Sequence, residues 1–197
     1  MRRLSDGRMR CPECSEDAVD DESRFLELQK TAHSLFLRYL GIDFSAIPHK
    51  AMLVSAVELH KIGGVEFRTT NGYDARMFIG LVSPKTMTYY IENGRKSLET
   101  LENIIHELTH IWQSSSEAFK RLEAENRDWS EGLALWTDFF LTDKYLQEQG
   151  LPGNFEERKG LWFYCNDEYG RGLRLIDELC PDNPYGYIIS LANMHVS

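Results

Sequence analysis

The chain of 197 residues has no internal repeat, no low-complexity tract and no apolar run of the roughly 20 residues that a membrane-spanning helix needs. Those absences exclude a repeat array, a disordered tract and a helical membrane anchor. Its opening, MRRLSDGRMRCPEC, is charged and lacks the apolar stretch of a secretory signal, so a soluble, cytoplasmic protein is expected. Positive charge is also in short supply: 22 Lys and Arg against 31 Asp and Glu leave a net charge of -9. Nucleic-acid phosphates need a basic field, and no basic cluster rises above the background, so neither nucleic acid nor a membrane is expected as a partner. Cysteine is scarce, with four in all. Cys165 and Cys180 stand far apart and read as buried free thiols, whereas Cys11 and Cys14 form a C-x-x-C knuckle able to hold half of a structural zinc. A closed structural site takes four ligands, and the chain has no second knuckle.

What is present is the material of one globular domain with, at most, a small appendage. Apolar residues make up 42% of the chain, enough for a self-sufficient core, and the one candidate boundary falls near Asp20. From Asp20 to Leu40 apolar residues recur at helical spacing, and Gly41 ends the run. IDFSAIPHK reads as a turn, and AMLVSAVELH as a strand or a short buried helix. RMFIGLVS and TMTYYIE are β-branched and aromatic runs set between Asn71-Gly72, Ser83-Pro84 and Asn93-Gly94, and they predict a hairpin or adjacent strands. Beyond Asn154 two or three further helices are expected, with a break at Cys180 to Pro184.

The chemistry is concentrated in His-Glu-Leu-Thr-His, residues 106 to 110, inside SLETLENIIHELTHIWQ. Residues four apart lie above one another on a helix, so His106 and His110 can offer two imidazole nitrogens to one metal ion. Glu107 lies beside them, where its carboxylate can take a proton from a water on the metal. Leu98, Leu101, Ile105, Leu108 and Trp112 supply a buried stripe, the helix is expected over Leu98 to Phe119, and Ser97 is a plausible N-cap. KRLEAENRD then reads as a charged connection.

A catalytic zinc keeps three protein ligands and one open position, so a third ligand is needed. Glu131, in DWSEGLALWTDFFL, begins a second amphipathic helix that is expected to run to about Gln149. Gly132 and Ala134 are small enough for the two helices to approach closely around a shared zinc. Asp138 reads as a solvated helix acid or as a group orienting a ligand histidine, and the tryptophans read most simply as core, with Trp112 and Trp136 at positions that could also wall the metal from water. Tyr169, and after it His195, are candidates for stabilising an oxyanion. His33, His49 and His60 read as surface or satisfied structural residues.

In its motifs and their order, LSDGRMRCPECSEDAVDD, IGLVS, HELTH, EGLALW and EYGRGLRLI, the chain resembles the plant LIM-domain-bearing, ubiquitin-activated zinc metallopeptidases that restrain organ growth, the DA-one family. That resemblance implies a remnant of a LIM-type zinc knuckle over residues 1-19 and a zincin-like peptidase domain, α+β and mostly helical with a small sheet before the H-E-x-x-H helix, over residues 20-197. It implies His106, His110 and Glu131 as zinc ligands, Glu107 as general base, protein or peptide substrates, and ubiquitin or ubiquitinated proteins as partners. Such peptidases commonly present an edge strand beside the metal. The chain carries no complete LIM domain and no ubiquitin-interacting helix. Two alternatives stand beside peptide hydrolysis: a catalytically silent interaction module of the same fold, and a zinc hydrolase of a small molecule, told apart from a peptidase by a closed pocket in place of a groove.

Overall fold

A computed structural model of the chain describes residues 1-3, 9-65, 67, 79-180 and 182-194. Asp6 to Arg8 of the opening motif, Asn71-Gly72, Arg76 to Phe78 of the first expected strand, and His195 lie outside the described residues. The fold is α+β, dominated by helices around one small sheet.

The chain begins with a short antiparallel ladder, β1 (Arg2–Arg3) with β2 (Met9–Arg10), and a single-turn helix α1 (Pro12–Glu16). Helix α2 (Glu22–Leu35) is capped by the Asp21 side chain and widens into a π turn (Phe36–Leu40) before Gly41 stops it. The ambiguous AMLVSAVELH contains both elements: β3 (Lys50–Val54), then α3 (Ala56–Ile62). Ser55 switches one to the other, because its side chain accepts from the Glu58 amide while Glu58 reaches back to the Ser55 amide, a reciprocal capping box. β4 (Gly80–Ser83) and β5 (Thr88–Glu92) are the expected antiparallel hairpin, with Leu81 opposite Tyr90. β3 lies parallel to β5 on its other side, giving the order β3-β5-β4 and, among the described residues, leaving β3 and β4 as the edges.

The remaining helices are α4 (Ser97–Ser115), α5 (Glu117–Glu125), α6 (Asp128–Glu148), α7 (Phe155–Phe163), α8 (Glu168–Leu179) and α9 (Pro184–Met194). Two expectations about the first of these are corrected. Ser97 is not the cap: it is the first helical residue, its amide bonded to the Asp17 carbonyl at 3.0 Å and its hydroxyl to the Asp17 carboxylate at 2.6 Å. Nor does one helix run to Phe119. Ser116 breaks it with an extended backbone and its hydroxyl accepts from the Phe119 amide, so most of the charged connection is itself helix α5.

The core forms where α6 passes between α4 and α8. Helix α6 was expected to be amphipathic, yet it is buried from Trp129 to Leu146 on nearly every side, with Leu133, Ala134, Phe139 and Leu141 sealed from solvent. Gly132 does permit a close helix approach, but with α8 and not with the H-E-x-x-H helix. A Cβ added at Gly132 would lie 2.3 Å from the Gly172 carbonyl carbon, and one at Gly172 would lie 2.1 Å from the Asp128 carbonyl oxygen. Among the described residues no helix is long and apolar enough to cross a membrane.

The histidines outside the motif are structural. His60 is buried and its Nδ1–H donates to the Ala56 carbonyl at 2.8 Å, and His49 donates in the same way to Ile47 at 2.7 Å. His33 stacks on Phe44 at 5.3 Å and meets His49 at 5.2 Å, while its buried Nε2 has no hydrogen-bond partner. Burial, and then the neighbouring His49, lowers its pKa from 6.5 to about 4.

Two predictions follow from this packing. Gly132→Ala has no room for its methyl group and is expected to lose about 1 to 3 kcal/mol in denaturant unfolding; unchanged stability would mean that α6 and α8 do not touch there. Because the folded pKa of His33 lies below the unfolded one, its contribution is intact above pH 6.5 and is lost as pH falls towards about 4. His33→Phe is therefore expected to flatten the drop in Tm between about pH 7 and about pH 4.5, and an unaltered drop would show that His33 is neutral for another reason.

Candidate metal centre

Helix α4 brings the two motif histidines onto one face, as their spacing requires, and helix α6 delivers Glu131 opposite them in its first turn. The Nε2 atoms of His106 and His110 are 3.2 Å apart. One Glu131 oxygen is 3.3 Å from His106 Nε2, and the other is 3.6 Å from His110 Nε2. A tetrahedral zinc with bonds of about 2.0 Å separates its ligand atoms by roughly 3.3 Å. The two imidazole nitrogens already have that spacing, each faces a different Glu131 oxygen, and one ligand atom from each of the three residues lies within 4.8 Å of the others. The three residues also form the one cluster of three or more His, Cys, Asp or Glu donors among the described residues that could hold a metal ion.

The electrostatics have the same cause. Burial opposes ionisation of Glu131, but its bonds to His106 and His110 win and hold its pKa well below the usual carboxylate range. Burial likewise opposes a charged His110, yet the Glu131 carboxylate, Glu107 and Gln113 together hold it up to about 9. Glu131 Oε2, the oxygen 3.3 Å from His106 Nε2, is buried and makes no well-formed hydrogen bond. An acid and two imidazoles crowded together, with one acceptor left over, make a donor set that a divalent cation would satisfy.

Glu107 is 6% exposed, and burial, assisted by the charge of Glu131, raises its pKa against the pull of His106 and His110. Edge strand β4 makes room for it. A Cβ at Gly80 would fall 2.3 Å from Glu107 Oε1, so glycine at that position lets the strand pass directly over the carboxylate. A cavity of about 690 Å³ opens there, lined by Gly80, Leu81, Val82, His106, Glu107, His110, Glu131 and Tyr169 among others. The Tyr169 ring is 6.3 Å from that of His106, and burial, then the charge of Glu131, raises its phenol so that it stays protonated.

Gln113 and Ser130 are functional residues that the sequence analysis missed. Gln113, 4% exposed, donates from Nε2 to the Ser130 carbonyl at 2.8 Å, which turns its Oε1 towards the His110 Nδ1–H at 2.7 Å; the Ser130 hydroxyl also donates to that oxygen, at 3.1 Å. One amide thus sets the orientation of His110 with its Nε2 towards Glu131, and ties α4 to the residue preceding Glu131. The available signal was its offset: three residues past His110, on the ligand face, where a buried glutamine needs partners.

Other expectations are corrected. Asp138 does not hold a histidine: it accepts from Arg158 at 3.2 Å and from Thr142 at 3.2 Å, and Arg158 also reaches Glu102 at 3.1 Å. Burial raises Asp138 to about 6 and Glu102 to about 7, with Arg158 opposing both shifts. Trp112 packs on Tyr185 and Trp136 on Phe140, each at under 5 Å between ring centres (4.7 and 4.8 Å), and neither lines the cavity. Cys180 is a buried thiol, whereas Cys165 is half-exposed. Cys11 and Cys14 are neighbours, with the Cys14 amide 3.0 Å from Cys11 Sγ, and among the described residues no further donor joins them.

No family model, no curated protein and no solved structure matches the chain.

Gln113→Leu, which keeps the size and loses all three hydrogen bonds, is expected to weaken zinc binding about 10- to 100-fold in chelator competition with the fold retained. Unchanged affinity would remove Gln113 from the site.

Proposed function

We propose that the chain is a zinc-dependent metallopeptidase with a zincin-like fold, hydrolysing peptide bonds in proteins or peptides. The observation that carries the reading is the convergence of His106, His110 and Glu131, whose ligand atoms lie within 4.8 Å of one another, with the Glu107 carboxylate on the same cavity.

His106 and His110 would hold zinc through Nε2 and Glu131 through its carboxylate. A zinc ion bound there supplies a Lewis acid that polarises a carbonyl and acidifies water. Glu107 is the proton carrier. Its raised pKa suits a group that accepts a proton from the attacking water at a carboxylate oxygen and then passes it to the departing amine. Burial of Glu107 keeps bulk water from competing for that proton. Tyr169, kept protonated, is placed to donate its O–H to the oxygen that gains charge as the carbonyl is attacked. Gln113 keeps His110 in the tautomer that presents its free Nε2.

A peptide substrate is favoured over a small metabolite by the position of the cavity along β4. Among the described residues that strand is at the edge of the sheet, which would leave its outward backbone groups to an extended chain, and the cavity follows it from Gly80 through Pro84. A closed pocket would favour the small-molecule reading instead.

Elemental analysis of the purified protein and cleavage of a mixed peptide library test this together. The wild type is expected to carry one equivalent of zinc in this site and to cleave. Glu107→Gln is expected to retain the zinc and lose at least about 100-fold in kcat/KM, while Glu131→Ala loses the zinc itself. Full cleavage by Glu107→Gln, or zinc content indifferent to Glu131→Ala, would overturn the proposal.

A further inference from the structure

A second cavity, of about 480 Å³, opens on His106, Glu107 and Tyr169 and takes no part in the chemistry above. Its walls are Leu135 and Phe139 of α6, Trp162 of α7 and Tyr169 of α8. Its acids are Glu99 and Glu102 of α4 and Asp138 of α6. One guanidinium, that of Arg158, answers two of them, at 3.1 Å from Glu102 and 3.2 Å from Asp138. The other cation, Arg95, is bonded to Glu92 at 3.0 Å and stands 4.0 Å from Glu99. Three acids thus face two guanidiniums, one of which is shared with Glu92. The walls also show what they accept: Arg158 lies 4.4 Å over the Phe139 ring while it touches both acids. Even with that arginine in place, the cavity keeps its volume open towards the candidate metal centre.

We propose that this cavity is a specificity pocket for a lysine or arginine side chain on the substrate residue that adjoins the scissile bond. The inference rests on the peptidase reading of the neighbouring centre and adds the substrate class to it. The aliphatic stem of the substrate residue lies between Leu135, Phe139 and Trp162, and its cation meets Glu99, Glu102 and Asp138. A glutamate side chain is repelled there, and an apolar one leaves the surplus acids unanswered. The first cavity lacks this character, since its charged lining beyond the centre is Lys85 and Lys120 against Glu123.

The test uses the zinc-loaded full chain and a matched set of peptides carrying Arg, Lys, norleucine or Glu in turn on either side of the scissile bond. On one side, Arg and Lys are expected to exceed norleucine in kcat/KM by at least about tenfold and Glu by more. Glu102→Gln and Asp138→Asn are each expected to lower the ratio of Arg to norleucine at least about threefold, with zinc content and far-ultraviolet circular dichroism retained. Should either variant unfold, Glu99→Gln, at a side chain 50% exposed, serves in its place. Cleavage with no basic preference, or a ratio untouched by the folded variants, overturns the pocket and leaves the peptidase reading standing. Zinc binding without cleavage of any peptide overturns the peptidase reading. In that case calorimetry with peptide hydroxamates on the zinc-loaded chain decides the pocket, where equal affinity for the Arg and norleucine compounds rejects it and tighter Arg binding supports it.

Discussion

Three donor atoms from two helices must meet within a few tenths of an ångström of one another's tetrahedral places, and helix α6 makes that possible. A carboxylate facing two imidazoles is unfavourable when buried unless its position is imposed by its surroundings. Here the imposition comes from both sides of α6. On one side Gly132 and Gly172 let α8 press against its first turn, where the Arg171 guanidinium also clasps Asp128 with two bonds of 2.9 Å. On the other side the Gln113 amide links Ser130 to His110. Glu131 sits between these two fixtures and has little freedom to turn away.

The same crowding tunes the acid beside it. Glu107 lies under an edge strand that can pass only because residue 80 is glycine, and it is dehydrated in consequence. Its proton affinity rises through burial and through Glu131, against the attraction of the histidines. A carboxylate that is to accept a proton and give it up again needs that balance. The sheet thus contributes to the centre in two ways, by enclosing Glu107 and by offering an open edge along the cavity.

Behind His106 the charges are arranged differently. Arg158 of α7 reaches across to Glu102 of α4 and Asp138 of α6, so a helix that buries none of its own residues is nonetheless fastened to the two that carry the candidate metal ligands. Lys159 adds a tie to Asp177 of α8 at 2.5 Å. Helix α7 is thus held by these charges together with the half-buried Phe155, whose ring meets Trp136 and Phe140.

Short-range rules were enough to determine much of this from the sequence: the helix around residues 106 to 110, the hairpin of β4 and β5 and the stop at Gly41, because spacing of three and four, alternation of two and turn residues act within one element. The break at Ser116 was also written locally, in three successive serines, and was missed because apolar spacing continues through Phe119. What only the tertiary structure decided depends on who faces whom. Asp138 has the right offset from Glu131 to serve a histidine, yet Arg158, twenty residues on, claims it; Gly132 fits a helix contact, but the partner is α8; Trp112 and Trp136 turn into the core instead of the cavity. Gln113 became recognisable once Ser130 lay beside it. Pairings of this kind arise when distant segments compete for the same group in a packed interior, and no periodicity within one segment records the outcome.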